Sequence, residues 1–460
     1  MLTKERGLAE IAELDARVAG AVVRPGDAGW DAARRAWNLA VDQRPEAVVF
    51  PADAADVVAV VELARAAGLG VAAQGTGHGA AARGSVEGTI LLNMACLKGV
   101  EIDPVARTAR VEAGVVWGDV SVAAAEHGLA GLAGSARDVG VVGYTLGGGL
   151  GWLARRHGLA ANSVRAIEVV TADGEERRVD AGTDTELFWA LRGGGGSFAV
   201  VTALELDLFP VSELYAGVIW WPFDRAEEVL ARYLDWAETV PDELTSLVRV
   251  LHLPPLPFLP EEIRGKSFAV VEGAFLGSQA EGARLLRPLR ELGGAAMDTF
   301  AMIPPTALGD LHQDPPEPVP GVGNGMVLGA LPPEAVPALV GAAGPGTPVL
   351  SVELRHLGGA LAASKPGHGA LAAIDGRFAM YAVGIAPSPA AAAAVEMQLD
   401  RITWVLEPWA TGSAFLNFSE RPGAARATFA ADTYGRLARV RAEYDPDGLI
   451  RANHPIEPAS

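Results

Sequence analysis

Apolar and polar positions follow two different rhythms along this chain. From residue 45 to about 210, short apolar runs alternate with helical stretches and glycine-rich turns. Ala47-Val48-Val49-Phe50, set between Pro45 and Pro51, reads as a short buried strand. Asp53 or Asp56 caps a helix that runs to about Ala67, where Gly68 and Gly70 end it. Val71-Ala72-Ala73 then enters the loop Gln74-Gly75-Thr76-Gly77-His78-Gly79. Strands are expected at Thr89 to Met94, Thr108 to Glu112, Ile167 to Thr171 and Phe198 to Phe209. Helices are expected at Trp117 to His127 and from Thr185 to Leu191, and a hairpin turn at Ala172-Asp173-Gly174 leads to a return strand at Arg177-Arg178-Val179. Residues 1 to about 45 read as helical. Gly131 to Gly151, poor in charge and rich in glycine, reads as irregular backbone wrapped around something.

After Pro210 the rhythm changes. Strands with aromatic content are expected at Tyr215 to Trp221, Leu247 to Leu253, Phe268 to Phe275, Val349 to Leu354 and Phe378 to Ile385. Long helices fall at about Arg225 to Thr239, Gln279 to Leu292 and Pro389 to Trp409. Pro315 to Gly325 reads as a surface loop, with a lid as the other reading. Phe415-Leu416-Asn417-Phe418 looks strand-like, and Tyr434 to Tyr444 helical. This pattern predicts an α+β protein whose second part is an antiparallel sheet covered on one face.

Composition narrows the class. At 460 residues the chain is long enough for two or three domains, and 50% hydrophobic with 20% charged residues is ordinary for a globular enzyme. A formal charge of −19 argues against nucleic acid as the main partner. One cysteine, Cys96, allows no intramolecular disulfide and no cysteine metal site, and it is expected in the core. The first 21 residues lack the pattern of a secretory signal, and no apolar run reaches the ~18–20 residues that span a bilayer. The expectation is a cytoplasmic protein with no membrane partner.

Chemistry concentrates at glycine. Besides Gln74 to Gly79 there are Gly147-Gly148-Gly149-Leu150-Gly151 and Gly193-Gly194-Gly195-Gly196. Alternate glycines bring backbone N–H groups together with no Cβ in the way, which suits an anionic diphosphate. Four glycines in a row are costly unless a large planar ligand or another backbone passes close by. The first loop lacks the Lys-Ser or Lys-Thr of a P-loop and the strand–loop–helix setting of a dinucleotide fingerprint. The eight histidines show no metal-ligand spacing, and no Gly-x-Ser-x-Gly elbow is present. The three glycine runs are read as one cofactor cleft.

With these pieces assembled, the chain resembles the FAD-linked oxidases of the vanillyl-alcohol-oxidase, or PCMH, type, and among them the berberine-bridge-enzyme-like branch. The likeness rests on Gln74 to Gly79, on Gly140-Val141-Val142-Gly143-Tyr144-Thr145-Leu146-Gly147-Gly148-Gly149, on Trp189 to Phe198, on Phe415 to Phe418, and on Asn453-His454-Pro455-Ile456. The resemblance implies an FAD-binding domain of two α/β subdomains, residues 1–210 and 413–460, with a substrate domain inserted at 211–412. It implies FAD as cofactor, attached covalently through His78 and held by Gln74, Gly75, Thr76, Gly77, Gly79, Gly140, Gly143, Tyr144, Gly147, Gly148, Gly149, Asn417 and Asn453. Ala136 stands where relatives place a second attachment cysteine, so a single link is expected.

The same resemblance implies oxidation of a small alcohol or amine, possible secondary metabolites included, by hydride transfer to the flavin, with O2 as the acceptor that yields H2O2. A dehydrogenase with another acceptor and a non-catalytic flavin carrier are the alternatives. Gln74 replaces the usual Arg, and Phe418 replaces the tyrosine base of sugar-oxidising relatives. Glu353 and Arg355 alternate along one strand and therefore share a face. Glu353, with a raised pKa, is the first candidate base, Tyr144 the second, and His356 and His368 follow. Asn417 and Arg355 are candidates for contact with flavin or substrate.

Overall fold

In the computed structural model, which describes residues 11–257 and 260–459, three larger sheets carry the chain, with a fourth, two-stranded one pairing Leu129–Ala130 with Phe209–Pro210. The first runs in the spatial order Ala21–Val23, Ala47–Phe50, Thr89–Asn93, Gly70–Gln74. Its last three strands are parallel, joined through the helix Ala54–Ala67. Asp53 caps that helix by accepting from the Asp56 N–H, and Gly68 ends it at φ 69°. Asp56 does something else: buried, its carboxylate gathers the backbone N–H groups of Ala19, Gly20 and Ala52. The C-terminal segment joins this sheet, because Val71 exchanges backbone hydrogen bonds with Leu449 and Arg451.

The second sheet is antiparallel, in the order Val100–Asp103, Thr108–Glu112, Val200–Asp207, Val164–Val170, Glu176–Asp180. The third is the large sheet: Met297–Asp298, Leu214–Pro222, Ser267–Phe275, Leu244–His252, Ser351–His356, Phe378–Ile385, Gly321–Leu328, with Ala301–Ile303 also pairing Leu214–Pro222. All its pairings are antiparallel. Strand alternation divides its faces. Val248, Val250, Val352, Leu354, Met380 and Ala382 pack with Val229, Tyr233, Leu339, Val395 and Ile402 from three covering helices. The intervening residues Arg249, Glu353, Arg355, Tyr381 and Val383 point the other way, towards the first two sheets. Trp220, Trp221, Phe268, Phe275 and Met380 are all core residues and none reaches the cavity between the sheets.

Several expectations change. Of residues 1–45, the first ten lie outside the described residues; the others hold only the short helices Leu14–Arg17 and Trp30–Ala33 and the strand Ala21–Val23, because Gly20, Pro25, Gly26 and Gly29 interrupt them. Gly131 to Gly151 contains a helix, Val141–Leu146. Leu416–Phe418 is a 3₁₀ turn rather than a strand. The second half of Pro315 to Gly325 belongs to the strand Gly321–Leu328. Cys96 is exposed, not buried: Met94 and Leu97, three apart on the 3₁₀ turn Met94–Cys96, take the inward face. Among the described residues no helix is long and apolar enough to cross a membrane.

Candidate active site

The loop after Gly70–Gln74 closes against the chain at Ala36 and Trp37. Gly77 has φ 87°, and a Cβ there would fall 2.8 Å from the Ala36 Cα. That approach brings Trp37 over His78, with ring centroids 4.3 Å apart and planes at 18°. Trp37 Nε1 donates to Asp138 Oδ2 at 2.5 Å. Thr76 Oγ1 lies 2.7 Å from His78 Nδ1. A single helical turn, Ala80–Arg83, follows the loop.

The loop is one wall of a cavity of about 1040 Å³. Gly140, Gly143 and Gly147, with Gly195 and Gly196, form the adjoining wall, and the inner face of the large sheet forms the opposite one. Two observations fit an anionic diphosphate at the loop. Among the described residues, no protein acceptor takes the N–H groups of Thr76, Gly77, His78 and Gly79. Beside them, the Arg83 guanidinium has no carboxylate partner: Nε donates to Asn453 Oδ1 (3.0 Å), Nη2 to the Ala73 carbonyl (2.8 Å), and Nη1 to nothing. Burial pushes Arg83 down to about 10. Arg83 thus supplies near the loop the cation that Gln74 removes, while Gln74 itself is tied to Gln43 and to the Arg35 carbonyl.

On the opposite wall Arg249, Glu353 and Tyr381 stand in one row across three paired strands. Behind them is a buried charge cluster. Glu272 accepts from His312 Nδ1 at 2.6 Å and pairs with Arg249 Nε at 2.7 Å. Glu353 pairs with Arg355 Nε at 2.7 Å and with His312 Nε2 at 3.2 Å. Burial and Arg249 oppose charge on His312, but Glu272 and Asp314 outweigh them and push it up to about 9. Burial likewise opposes charge on Glu353, yet Arg355 and His312 hold its carboxyl well below the usual range. The raised pKa expected of Glu353 is therefore overturned by its two cationic neighbours.

Arg355 also donates to Ser135 Oγ (3.2 Å) and lies 5.0 Å over the Phe418 ring. Phe418 faces Tyr381 at 5.3 Å. The Tyr381 hydroxyl donates to Glu420 Oε1 at 2.6 Å, and the Gly323 N–H donates to Oε2 at 2.9 Å. Burial raises Glu420 above the ordinary carboxylate range despite these two donors.

Other expected site residues are differently employed. The Tyr144 hydroxyl donates to the Leu132 carbonyl at 3.1 Å, an acceptor that cannot take its proton on, and burial raises the phenol. Its ring fills the space left by Gly134, Gly149 and Gly151. Asn417 accepts from the Gly149 N–H (2.9 Å) and donates to the Tyr144 carbonyl (3.2 Å), so its amide holds the glycine loop rather than flavin or substrate. Gly148 and Gly149 have φ 117° and 79°, conformations that disfavour any side chain. Ala136 lines the cavity, and Asn453 lies under Gly79. His356, buried against Arg155, is pushed down to about 3, by burial first and then by that cation; His368 contacts the Ala372 carbonyl. Both are structural.

Trp37, Arg83, Asp138, Arg249, Glu272, His312, Tyr381 and Glu420 were not read as site residues from sequence. Strand alternation could have flagged Arg249 and Tyr381, which share the sense of Glu353. The others arrive by long-range packing and carry no local signal.

Comparison with known proteins agrees with this geometry. The FAD binding domain family matches residues 45–180. The (R)-6-hydroxynicotine oxidase of Paenarthrobacter nicotinovorans is 32% identical over 294 residues, which is 62% of this chain and 61% of that protein. The matched stretches span about three fifths of the length of such curated relatives. The crystal structure of 6-hydroxy-D-nicotine oxidase from Arthrobacter nicotinovorans superposes with TM-score 0.85 at 25% identity, covering 96% of this chain and 98% of that one. The berberine-bridge-enzyme-like protein 1 of Physcomitrella patens gives 0.86 at 21% identity, covering 98% and 99%. Glucooligosaccharide oxidase from Acremonium strictum, described with a 6-S-cysteinyl, 8α-N1-histidyl FAD, gives 0.81 at 24% identity, covering 98% and 99%. With the glycine cradle, the cavity between the sheets and a matched FAD-binding domain together, the chain belongs to the FAD-linked oxidoreductases of the vanillyl-alcohol-oxidase type.

Proposed function

We propose that the protein is an FAD-dependent oxidase of a small, partly apolar alcohol or amine, with FAD attached through His78. The observation that carries this reading is the free N–H cradle of Thr76 to Gly79 beside Arg83, which has no carboxylate partner and one unpaired guanidinium nitrogen, opening into one cavity shared with the charged face of the large sheet. When bound, FAD would accept a hydride from the substrate carbon and return the electrons to O2 as H2O2.

The chain's own residues divide the remaining work. Thr76 to Gly79 and Arg83 hold the anionic half of the cofactor. Gly143, Gly147, Gly195 and Gly196 leave room for a planar ring. Leu251, Leu253, Val349 and Ile385 give the substrate an apolar surface and exclude water. Arg355, fixed by Glu353 and Ser135, stabilises developing negative charge on the substrate heteroatom. Glu353 stays ionised and serves to orient Arg355. The substrate proton passes to the Tyr381 hydroxyl as Tyr381 gives its own to Glu420, the carboxylate on this wall whose proton affinity is raised.

Purified protein should be yellow. Anaerobic addition of its substrate, found by screening alcohols and amines, should bleach the flavin, and air should restore it with one H2O2 per turnover. A colourless protein that takes up no FAD would refute the proposal. Bleaching without peroxide would instead assign another electron acceptor.

A further inference from the structure

Three side chains from separate parts of the chain converge on His78, and a diphosphate site has no use for them. Trp37 stacks on the imidazole at 4.3 Å. Trp37 Nε1 fixes one oxygen of Asp138 at 2.5 Å. The other oxygen, Oδ1, lies 3.6 Å from His78 Nε2, a buried nitrogen with no hydrogen-bond partner. On the far side of the ring, Nδ1 is 2.7 Å from the Thr76 hydroxyl. The Trp37 backbone N–H also donates to the Thr76 carbonyl at 3.0 Å, so loop and indole are locked together.

An imidazole held this way has one chemically sensible orientation. The nitrogen that faces a carboxylate carries the proton, and the opposite nitrogen keeps its lone pair. Here Nε2 faces Asp138, so Nδ1 is the nucleophile, with Thr76 donating a hydrogen bond to it. The same division of roles, an orienting carboxylate behind a ring that acts through its other nitrogen, recurs wherever an imidazole is activated.

We propose that Asp138, steered by Trp37, is the positioning residue that prepares His78 for covalent attachment to the flavin. The inference rests on the reading that His78 carries FAD. In the step, the Nδ1 lone pair forms a bond to the 8-methyl carbon. One C–H bond of that methyl breaks, its proton leaves to solvent, and its electron pair remains in the ring system, which is thereby reduced by two electrons. The alkylated imidazole gives its Nε2 proton to Asp138. Dioxygen then takes the two electrons and two protons and leaves as H2O2.

Asp138 is suited to this. Burial favours its neutral form, but His78 and the indole N–H outweigh that and keep the carboxyl below its ordinary value. As an isolated, partly exposed ion pair the contact would be worth little to stability. Its value lies in fixing which nitrogen is free, which a stability measurement would not register.

The test uses full-length protein made in flavin-limited cells and mixed with FAD in air. Flavin fluorescence quenching reads non-covalent binding, and the flavin that stays with acid-precipitated protein reads attachment. Asp138→Asn is expected to bind FAD within about threefold of wild type while attachment slows at least tenfold. Asp138→Glu should recover most of the rate, and each attached flavin should release one H2O2. Trp37→Phe, which keeps the stacking but loses the indole N–H, should fall between, and it decides the matter if Asp138→Asn does not fold. Attachment at the wild-type rate in Asp138→Asn would overturn the inference. So would a parallel loss of binding and attachment, which would mark a structural role. Wild-type protein that releases all its flavin in acid would instead overturn the attachment reading itself.

Discussion

Replacing Glu272 with glutamine removes one charge from the centre of the wall opposite the glycine cradle. Glu272 is fully buried and holds two cations, Arg249 and His312. An ordinary imidazole titrates at about 6.5, whereas His312 is pushed up to about 9. At about 1.4 kcal/mol per tenfold change, that gap corresponds to about 3 kcal/mol of folding free energy. Because the folded value is raised, this contribution is present in full below about pH 6.5 and is lost as the pH rises through about 9. In Glu272→Gln, burial and Arg249 act on His312 with less opposition, and Arg249 loses its carboxylate. A loss of about 3–5 kcal/mol near pH 7 follows. Urea unfolding can be followed by tryptophan emission, since Trp221 and Trp236 lie in the adjoining core. Wild type should lose about 3 kcal/mol between pH 6 and 9.5 from this source, and the variant much less. A variant loss below about 1 kcal/mol, or identical pH slopes in the two proteins, would refute the assignment.

Three further outcomes are expected. Glu420→Gln should destabilise by about 1–3 kcal/mol near neutral pH, because the amide offers one acceptor to the two donors, the Tyr381 hydroxyl and the Gly323 N–H, that Glu420 satisfies; unchanged unfolding would show that this contact holds nothing together. Asn417→Ala should destabilise by about 1–3 kcal/mol, because the Gly149 N–H loses its acceptor; unchanged unfolding would show the loop does not depend on it. Exposed Cys96 should react with a thiol reagent in the native protein at one equivalent per chain, and protection until unfolding would contradict its position.

What could be read in advance was local. Apolar runs between glycine and proline marked most strands and helices, since each is decided by its own few residues. The four-glycine stretch Gly193 to Gly196 signals a close approach, and Leu371 and the Ala190 carbonyl make it. The site beyond the cradle depended on distance. Asp138 reaches Trp37 across 101 positions, and His312 reaches Glu272 across 40. No local pattern encodes such meetings. Tyr144 and Asn417 are legible as cavity-side residues, but the partners of their polar tips, the Leu132 carbonyl and the Gly149 N–H, are set by packing and not by local sequence. Glu353 had its partner Arg355 in plain view two residues away. The second cation, His312, came from a loop whose sequence gives no hint of it.

The central claim is that His78 carries the flavin. Proteolysis of denatured holoprotein followed by mass spectrometry tests it directly. The account predicts one peptide containing His78 that bears the added mass of FAD, with no such adduct in the His78→Ala protein. An unmodified His78 peptide together with free FAD, or a flavin adduct on any other residue, would contradict it.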